Sequence, residues 1–377
     1  MNHQGYMARA LQLAALGRYS TSPNPRVGCV LVRDGVIVGE GFHERAGEGH
    51  AEVNALRQAG EQARGATAYV TLEPCSHFGR TPPCSQALIN AGVTTVVGAL
   101  RDPNPMVSGR GYQQLRDAGI NVIESCLASD AYELNRGFMQ RMTLGRPWVQ
   151  LKIAQSLDGR TAMSSGESQW ITGPHARRDV QRLRAASCAI ITGADSVLID
   201  DPAMTVRPEQ AGFNEQTLWR QPLRVIVDGQ QRVLAHAKIV QQTGDILIAH
   251  CLAAQPLERA EVLGHLDYWQ SPASSTEHAA TITPRVDLSA LLRELGHRQC
   301  NHVLIESGAN LAGAFIERSL VDEIIVYCAP TLLGSTARPM LNLPLTQMAE
   351  QQRWQWHDVR QVGNDMRFTL RRPTTES

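Results

Sequence analysis

The chain has 377 residues, 43% of them hydrophobic and 19% charged, which is typical of a globular protein with more chain than one core usually holds. Two domains are therefore expected. The 36 basic and 36 acidic residues cancel to a formal net charge of zero, which argues against nucleic acid as a partner but allows a small anionic substrate.

The N-terminal stretch predicts neither a signal peptide nor a membrane span. Its apolar residues are interrupted by Gln12, and no segment approaches the roughly 20 apolar residues that a membrane span needs. Eight cysteines in a chain without an export signal indicate a reducing compartment, so a cytoplasmic location is expected. Six of them are expected to be buried free thiols, namely Cys29, Cys126, Cys188, Cys251, Cys300 and Cys328.

The first half of the chain alternates predicted helices and strands. Apolar spacing predicts a helix over 6–16, and two strands over 27–32 and 36–38 flank the hairpin signal Arg33-Asp34-Gly35. Helices are also expected over 51–59, 84–91, 111–118 and 129–144, and strands over 66–72, 93–97 and 121–123. This pattern indicates a sheet covered by helices. Gly145 followed by Arg146-Pro147 predicts the end of a first domain covering residues 1–145.

Three side chains of this half form the pattern of a catalytic zinc site. His50 precedes the predicted helix 51–59, Cys75 follows the strand 66–72, and Cys84 opens the helix 84–91. One imidazole and two thiolates suit Zn²⁺, and three protein ligands leave the fourth tetrahedral position for water. Glu52 is not needed as a ligand and is predicted to be the general acid and base.

The spacing of the two cysteines departs from the general signature of zinc-dependent nucleobase deaminases. That signature is H-x-E followed by P-C-x-x-C, whereas here eight residues, Ser76 to Pro83, separate Cys75 from Cys84. A purely structural zinc with His77 as a fourth ligand is one alternative. Ordinary reduced core thiols and a surface histidine are another, although the residues taken together favour the catalytic site.

From Trp148 onward the pattern predicts a second α/β domain, covering residues 146–377. Strands are expected over 148–154, 189–192, 223–227, 246–249, 303–305 and 324–327, and helices over 175–186, 288–295 and 310–318. A polar, Asp-rich loop is predicted to follow the strand 189–192 as far as Arg207. Weak periodicity predicts further loops over 207–221 and 266–284.

The clearest binding signal of this half is the strand-to-helix turn in VLIESGANL, Val303 to Leu311. Glycine permits close backbone approach and N–H groups at a helix start hold phosphate, yet most such turns are only tight turns. Both interpretations stay open at this point. Four arginines, Arg177, Arg178, Arg182 and Arg184, line the helix 175–186, and one of them pointing into a cleft would suffice to hold a phosphate.

Together these motifs resemble one family. TSPNPRVG (Thr21 to Gly28), His50-Ala51-Glu52, EPCSHFGRTPPC (Glu73 to Cys84) and DPNP (Asp102 to Pro105) are similar to the deaminase domain of the bifunctional riboflavin-biosynthesis deaminase/reductase family. In that family the long gap between the cysteines is the rule. LKIAQSLDGR (Leu151 to Arg160), SQWITG (Ser168 to Gly173), TGADSVLIDDP and VLIESGANL resemble its reductase domain.

The resemblance implies a fold and a pair of reactions. A cytidine-deaminase-like α/β/α zinc domain would deaminate the small molecule 2,5-diamino-6-(5-phosphoribosylamino)pyrimidin-4-one by hydrolysis. A dihydrofolate-reductase-like α/β domain would then use NADPH to reduce the ribosyl group of the product to ribityl. Zn²⁺ and NADPH are the implied cofactors. A homo-oligomer is compatible with the sequence, which does not determine the oligomeric state.

The resemblance also implies roles for residues outside the zinc site. Asn24, His77 and Arg80 are expected to face the pyrimidine and its phosphate, with an exposed loop histidine as the alternative for His77. Cofactor contacts are expected from Ala154, Trp170, Ser196, Asp200, Gly308, Ala309, Asn310, Leu311 and Gly313. Substrate contacts are expected from Ser168, Arg184, Met204, Arg207 and Glu306, while Lys152 either binds phosphate or only pairs with a carboxylate.

Two rival functions stay open on the sequence. One is a nucleoside or nucleic-acid deaminase with an accessory domain, against which the balanced charge argues. The other is a non-enzymatic module in which the second half only stabilises or docks. NADPH binding without turnover would favour that second alternative.

Overall fold

A computed structural model of the chain describes residues 2–76, 83–104, 108–252, 264–272 and 285–373. The chain divides into two compact units, Met1–Arg146 with Leu218–Arg220, and Pro147–Thr217 with Gln221–Ser377. Each unit has its own sheet and its own hydrophobic core. Within the described ranges, no helix is both long and apolar enough to cross a membrane.

The first unit is built on a five-stranded sheet with the order β2-β1-β3-β4-β5. Its strands are β1 (Gly28–Arg33), β2 (Val36–Phe42), β3 (Thr67–Val70), β4 (Thr95–Gly98) and β5 (Asn121–Ile123). The predicted hairpin is confirmed, because β1 and β2 pair antiparallel through a turn in which Asp34 and Gly35 both have positive φ. Strand β1 is also antiparallel to β3, while β3, β4 and β5 run parallel.

Helices cover both faces of this sheet. They are α1 (His3–Leu16), α2 (Ala51–Ala59), α3 (Cys84–Asn90), α4 (Arg110–Asp117) and α5 (Ala128–Leu144), with 3-10 helices at Gly17–Tyr19 and Gly60–Ala63. Apolar side chains of α2, α3 and α4 such as Ala55, Leu88 and Leu115 form one core, and those of α1 and α5 such as Met7 and Ala131 form the other. The result is the predicted α/β/α arrangement.

The start of α2 is held close to the sheet by the absence of a side chain on β2. A Cβ atom at Gly41 would lie 2.5 Å from the carbonyl oxygen of Ala51 and from the amide nitrogen of Ala55. Only glycine permits this approach. The helix start that carries His50 and Glu52 is therefore fixed against the sheet by backbone packing.

The second unit is built on a nine-stranded sheet with the order β11-β10-β9-β8-β12-β6-β13-β16-β15. Its strands are β6 (Trp148–Ser156), β8 (Ala189–Gly193), β9 (Leu223–Val227), β10 (Ile246–His250), β11 (Leu266–Gln270), β12 (His302–Ile305), β13 (Glu323–Ala329), β15 (Gln355–Val362) and β16 (Asp365–Arg371). In the order given, the seven strands from β11 through β13 run parallel to one another. Strands β16 and β15 are added antiparallel at the edge next to β13. Strands β7 (Arg160–Ala162) and β14 (Arg338–Pro339) form a separate pair.

The helices of this unit are α6 (Pro174–Ala186), α7 (Ala194–Asp200), α8 (Pro208–Ala211), α9 (Leu288–His297) and α10 (Ala309–Glu317), with a 3-10 helix at Met348–Glu350. Leu291 of α9 and Phe315 of α10 pack in the larger core. Val197 of α7 packs in a second core with Ile190 of β8 and Ile226 of β9.

Several predicted loops of the second half are wrong. The Asp-rich segment after β8 forms α7, whose exposed Leu198 and Ile199 obscure an amphipathic pattern. Residues 208–211 form the short α8, and residues 266–270 form the edge strand β11, whose half-buried residues lack a clear alternation. The predicted loop residues 273–284 lie outside the described residues.

All eight cysteines are free thiols. Of the six predicted to be buried, Cys29, Cys188, Cys300 and Cys328 are so, while Cys126 and Cys251 are only half-buried.

Candidate active sites

The three predicted metal ligands meet in the first unit. One ring nitrogen of His50 and the sulfurs of Cys75 and Cys84 all lie within 4.8 Å of one another. The Nδ1 of His50 is 3.2 Å from Cys84 Sγ and 3.7 Å from Cys75 Sγ. Nitrogen and sulfur ligands of a tetrahedral zinc ion stand about 3.5 to 3.8 Å apart at ordinary bond lengths. The positions and the chemistry of these donors therefore fit Zn²⁺.

The ends of secondary-structure elements place these ligands. His50 is the N-cap of α2, Cys84 is the first residue of α3, and Cys75 follows β3. The backbone N–H of Cys84 donates to Cys75 Sγ at 3.3 Å. The side-chain hydrogen bond from Cys84 lowers the pKa of Cys75 to about 4, and the same contact raises the pKa of Cys84. One sulfur is thus already favoured as the thiolate, the form that binds metals.

Glu52 lies beside this cluster in the first turn of α2, and only 3% of it is exposed. Burial, and then the charge of Cys75, raise the pKa of the Glu52 carboxyl to about 7. A carboxyl group with a pKa near neutrality both takes up and releases a proton at physiological pH. The side chain predicted to move protons therefore has the environment that this task requires.

A histidine that the sequence argument missed, His43, connects Asn24 to the metal ligands. His43 is buried, its Nδ1 lies 3.1 Å from the carbonyl oxygen of Gly49, and its ring packs edge-on against that of His50. Because a carbonyl only accepts, His43 Nδ1 carries the proton. Its Nε2 then accepts from Asn24 Nδ2 at 3.0 Å. Burial lowers the pKa of His43, which agrees with this neutral form.

This arrangement fixes which way the amide of Asn24 points. Its nitrogen is used by His43, and none of the described residues hydrogen-bonds to its Oδ1. The signal that the sequence offers for His43 is its position directly after the aromatic Phe42, in the run GFHE. The predicted contacts His77 and Arg80 lie outside the described residues.

The second unit brings three predicted residues together as a buried ion cluster. The carboxylate of Glu306, which follows β12, accepts from Arg184 Nε at 2.6 Å and from Arg184 Nη2 at 3.1 Å. Lys152 Nζ from β6 lies 3.1 Å from the same carboxylate. Burial on its own would raise the pKa of Glu306, but the charges of Arg184 and Lys152 outweigh it and lower the pKa to about 2. The cluster holds two cations around one carboxylate.

Residues of the segment after α7 border this cluster. Arg184 Nη1 donates to the carbonyl oxygen of Thr205 at 3.1 Å, and its Nη2 lies 3.8 Å from the sulfur of Met204. Met204 is buried with positive φ. Arg207, by contrast, is exposed, and its guanidinium donates to Gln210. Arg184 is thus the one arginine of α6 that points into the cluster on Glu306.

Most of the predicted cofactor residues follow the carboxyl ends of β8 and β12. The backbone N–H of Gly308, the N-cap of α10, donates to Ser196 Oγ in α7 at 3.2 Å. The amides of Ala309, Asn310 and Leu311 open this helix, where N–H groups lack partners within the helix. Gly313 lies further along, where a Cβ atom would come within 2.0 Å of the Asn342 carbonyl, so backbone packing alone requires glycine there.

Three more predicted residues lie near this end of the sheet. Ser168 Oγ is 3.3 Å from Asp200 Oδ1 at the end of α7. Trp170 is 67% exposed, with the guanidinium of Arg177 4.7 Å from its ring centroid. Ala154 pairs with Tyr327 in the sheet. Ligands of open α/β sheets bind at the carboxyl ends of the strands, and an exposed aromatic ring and helix-start amides there suit a dinucleotide.

Two family models match the chain. The cytidine and deoxycytidylate deaminase zinc-binding region matches residues 1–100, and the RibD C-terminal domain matches residues 147–368. The fold and the two sites thus define a protein that joins a zinc-dependent deaminase domain to a reductase domain.

Relatives similar over their full length identify the family. Riboflavin biosynthesis protein RibD of Escherichia coli K12 is 52% identical, over 97% of this chain and 98% of its own. A solved RibD structure from Acinetobacter baumannii matches with a TM-score of 0.88 at 46% identity, covering 99% of both chains. The chain belongs to the RibD family, and it is a deaminase and reductase of riboflavin biosynthesis that uses Zn²⁺ and NADPH.

A second solved structure carries a more specific description. It comes from Thermotoga maritima and is described as a diaminohydroxyphosphoribosylaminopyrimidine deaminase/5-amino-6-(5-phosphoribosylamino)uracil reductase. It matches with a TM-score of 0.84 at 31% identity, covering 98% of this chain and 99% of its own. The predicted two-domain α/β fold and the predicted family are confirmed. The non-enzymatic module and the nucleoside or nucleic-acid deaminase with an accessory domain are not supported.

Proposed function

We propose that the protein carries out two consecutive reactions on one phosphoribosylaminopyrimidine. Residues 1–145 deaminate 2,5-diamino-6-(5-phosphoribosylamino)pyrimidin-4-one by hydrolysis. Residues 146–377 then reduce the product with NADPH to 5-amino-6-(5-phosphoribitylamino)uracil. The observation that carries this proposal is the similarity, over nearly the whole chain, to the Thermotoga maritima protein described as this deaminase and reductase.

In the deaminase half, His50, Cys75 and Cys84 are the proposed Zn²⁺ ligands, with the fourth position open. When bound, Zn²⁺ acidifies water and so makes a nucleophile available at neutral pH. Glu52 takes the proton from the attacking water as the C–O bond forms. It then passes a proton to the amino nitrogen, so that the C–N bond breaks and ammonia leaves.

Asn24 is proposed to orient the pyrimidine ring. Since one N–H of its amide is donated to His43, the amide is held with Oδ1 available as an acceptor, which suits an N–H or amino group of the ring. His77 and Arg80 are proposed to contact the ring and the phosphate on the family resemblance alone. A positive side chain and a histidine suit these two tasks.

In the reductase half, NADPH would supply a hydride to the sugar carbon that bears the exocyclic amino nitrogen, while the bond from that carbon to the sugar-ring oxygen breaks and the oxygen takes up a proton. We assign the cofactor's phosphates to the amides of Ala309, Asn310 and Leu311, where the exposed helix start favours anions, and we place Gly308, whose N–H donates to Ser196, against the cofactor as the residue without a side chain at that turn. Further cofactor contacts are assigned to Ala154, Trp170, Ser196 and Asp200, whereas Gly313 packs against the Asn342 carbonyl and is assigned only to the packing of α10. The exposed ring of Trp170 offers an apolar face for stacking.

The cluster on Glu306 is proposed to bind the phosphosugar. One carboxylate between Lys152 and Arg184 leaves a net positive charge, which favours an anionic substrate. Glu306 fixes both cations in position, so Lys152 serves as a partner of the carboxylate before substrate binds and as a donor afterwards. Ser168, Met204 and Arg207 are assigned to the substrate on the family resemblance.

The remaining parts of the proposal concern the setting of the enzyme. A cytoplasmic location is proposed from the eight free thiols, which suit a reducing compartment. The partner is a small molecule, with neither nucleic acid nor membrane involved. A homo-oligomer is proposed because the edge strand β15 exposes Trp356 and Val359, and sedimentation analysis tests it.

The central experiment supplies the diaminopyrimidinone ribosyl phosphate to zinc-loaded protein and follows two signals in order. Ammonia release is expected first, without NADPH. Addition of NADPH is then expected to give oxidation in proportion to the ammonia released. Substrate that stays unchanged under both conditions contradicts the proposal, and turnover of free cytidine at a comparable rate contradicts its substrate assignment.

A further inference from the structure

Glu73 is a buried carboxylate beside the zinc ligands for which the proposed mechanism has no task. It stands two residues before Cys75, after β3, and only 3% of it is exposed. Within the described part of the chain, no lysine, arginine or histidine forms an ion pair with it. Its negative charge is therefore stabilised by other means, since burying an uncompensated carboxylate is highly unfavourable.

Four backbone amides provide that stabilisation. Glu73 Oε2 accepts from the N–H groups of Asp102 at 3.2 Å and Gly109 at 2.9 Å. Glu73 Oε1 accepts from the N–H groups of Gly111 at 2.9 Å and Tyr112 at 3.3 Å. Each oxygen thus binds two amides, and a carboxylate so bound forms strong, charge-assisted hydrogen bonds.

These amides belong to the start of α4 and to the segment before it. Gly109 is the N-cap of α4 with φ 79°, and it has no side chain with which to cap the helix. The Glu73 carboxylate, which lies outside α4, caps the helix instead. It can do so because first-turn amides lack partners within the helix and attract negative charge. The amides of Asp102 and Gly109 stand at the two ends of the intervening segment, so one side chain anchors both.

Backbone contacts in the same region hold the peptide of Cys75. The N–H of Glu73 donates to the Leu100 carbonyl at 2.8 Å, and a Cβ atom at Gly111 would lie 1.9 Å from the Pro74 carbonyl oxygen. On the other side, the N–H of Ser85 donates to the Cys75 carbonyl at 3.2 Å. The peptide that carries the Cys75 thiol is thus fixed between the starts of α3 and α4.

We propose that Glu73 is a positioning residue of the zinc centre: by binding the start of α4 to the 73–75 turn, its carboxylate sets the position of the Cys75 sulfur. The inference rests on the proposed function in that Cys75 is taken as a zinc ligand. Removing a group that orients a metal ligand without binding the metal itself typically lowers metal affinity or activity about 10- to 100-fold.

The test compares Glu73→Gln with the wild type in the full-length chain. Glutamine keeps the volume, but in either orientation its NH₂ replaces an oxygen that accepted two amides, so those bonds are lost. Zinc affinity is measured by competition with a chromogenic chelator, and Co²⁺-loaded protein reports sulfur geometry through its thiolate-to-metal absorption. We expect about 10- to 100-fold weaker zinc binding and a shifted absorption band.

Leu115→Ala is the matched control. Leu115 is fully buried in α4, so its truncation destabilises the same helix without removing a hydrogen bond of Glu73. It is expected to lower the melting temperature while zinc affinity and the Co²⁺ absorption stay as in the wild type. If Glu73→Gln behaves like this control, Glu73 is only structural and the inference is overturned.

Glu73→Asp covers the case in which the glutamine variant does not fold. It keeps the charge but withdraws the carboxylate by one methylene, so an intermediate loss of zinc affinity is expected. An aspartate variant with wild-type zinc affinity and Co²⁺ absorption overturns the inference. A wild-type protein that binds no zinc would contradict the proposed function itself, which is a distinct outcome.

Discussion

Glu52 and Glu306 are buried carboxyl groups, one in each half of the chain, whose pKa values move in opposite directions. At Glu52, burial and the charge of Cys75 act together, and the pKa rises to about 7. At Glu306, burial is outweighed by Arg184 and Lys152, and the pKa falls to about 2. The neighbouring charges therefore decide whether a buried carboxyl moves protons or holds cations.

The strongest test of this contrast is Glu52→Gln. The amide cannot carry the proton, so ammonia release is expected to fall by about 10²- to 10⁴-fold. Zinc content should stay as in the wild type, because Glu52 is outside the cluster of three ligands. NADPH oxidation with the deaminated intermediate is expected to be unchanged. Ammonia release within tenfold of the wild type would contradict the role of Glu52.

Removal of the fixed charge at Glu306 should act on stability as well as on activity. Glu306→Gln leaves Arg184 and Lys152 buried without a counter-charge, which typically costs about 3 to 5 kcal/mol. Tryptophan fluorescence in a denaturant series measures this, since Trp148, Trp170, Trp269, Trp354 and Trp356 all belong to the second unit. Reductase activity should fall with it, while ammonia release is expected to persist.

Glu294→Gln is the control for that prediction. Glu294 of α9 pairs with Arg298, the C-cap residue of that helix four positions further on, and both side chains are partly exposed. Exposed pairs of this kind contribute about 0.3 to 0.5 kcal/mol. If the two variants lose the same free energy of unfolding, the cluster on Glu306 contributes no more to stability than an exposed ion pair.

The free energy of unfolding of the second unit is also expected to fall at acid pH, because Glu306 then becomes protonated. The free carboxyl has a pKa of about 4.3, whereas in the folded protein the pKa of Glu306 is lowered to about 2. The unfolded chain therefore binds the proton more readily, so the stabilisation is complete above about pH 4.3 and is lost as the pH falls towards 2. Its size is about 3 kcal/mol.

Denaturant series between pH 5 and 3 measure this loss, and Glu306→Gln is expected to show a flatter dependence than the wild type. A wild-type curve parallel to that of the variant would place the acid sensitivity at other groups.

The zinc site was predictable from the sequence because its members lie at element boundaries that local patterns reveal. The prediction of a helix over 51–59 agrees with α2, and the helix predicted from Cys84 agrees with α3 to within one residue. Two of the three ligands thereby receive defined positions. The sulfur of Cys75 follows β3 by several residues, and its position depends on contacts that the pattern does not contain.

What the sequence could not reveal are contacts between distant segments. The amides that bind Glu73 lie 29 to 39 residues further along the chain, and no local spacing encodes such pairs. The same holds for Arg184 and Glu306, which are 122 residues apart. Among four arginines on α6, only the packed structure singles out the one that meets a carboxylate.

The elements missed in the second half have a different cause. Strand β15 is a mostly exposed strand at one edge of the sheet, β16 beside it is mostly half-buried, and β11 is a half-buried strand at the other edge. Edge strands bury little, so the alternation that predicts a strand is weak there. The centre of the sheet, by contrast, was predicted closely, with β9 found at the predicted residues.

The smallest expected effect concerns His43, which acts through neutral hydrogen bonds and not through charge. His43→Phe keeps the ring against His50 but removes the bonds to Asn24 and to the Gly49 carbonyl. The amide of Asn24 is then free to turn, and loss of one oriented hydrogen bond to the substrate corresponds to about 1 kcal/mol, or roughly five- to tenfold in KM.

This prediction separates orientation of the substrate from support of the metal. KM for deamination is expected to rise while kcat, zinc content and reductase activity stay near wild type. His3→Phe is a suitable control, since among the described residues the His3 side chain hydrogen-bonds only to Tyr69 in the same unit. If kcat and zinc content fall instead while KM holds, His43 acts through the Gly49 carbonyl, which directly precedes the metal ligand His50. The metal ligands of the first half would then depend on a buried neighbouring side chain, as Glu306 of the second half depends on Arg184.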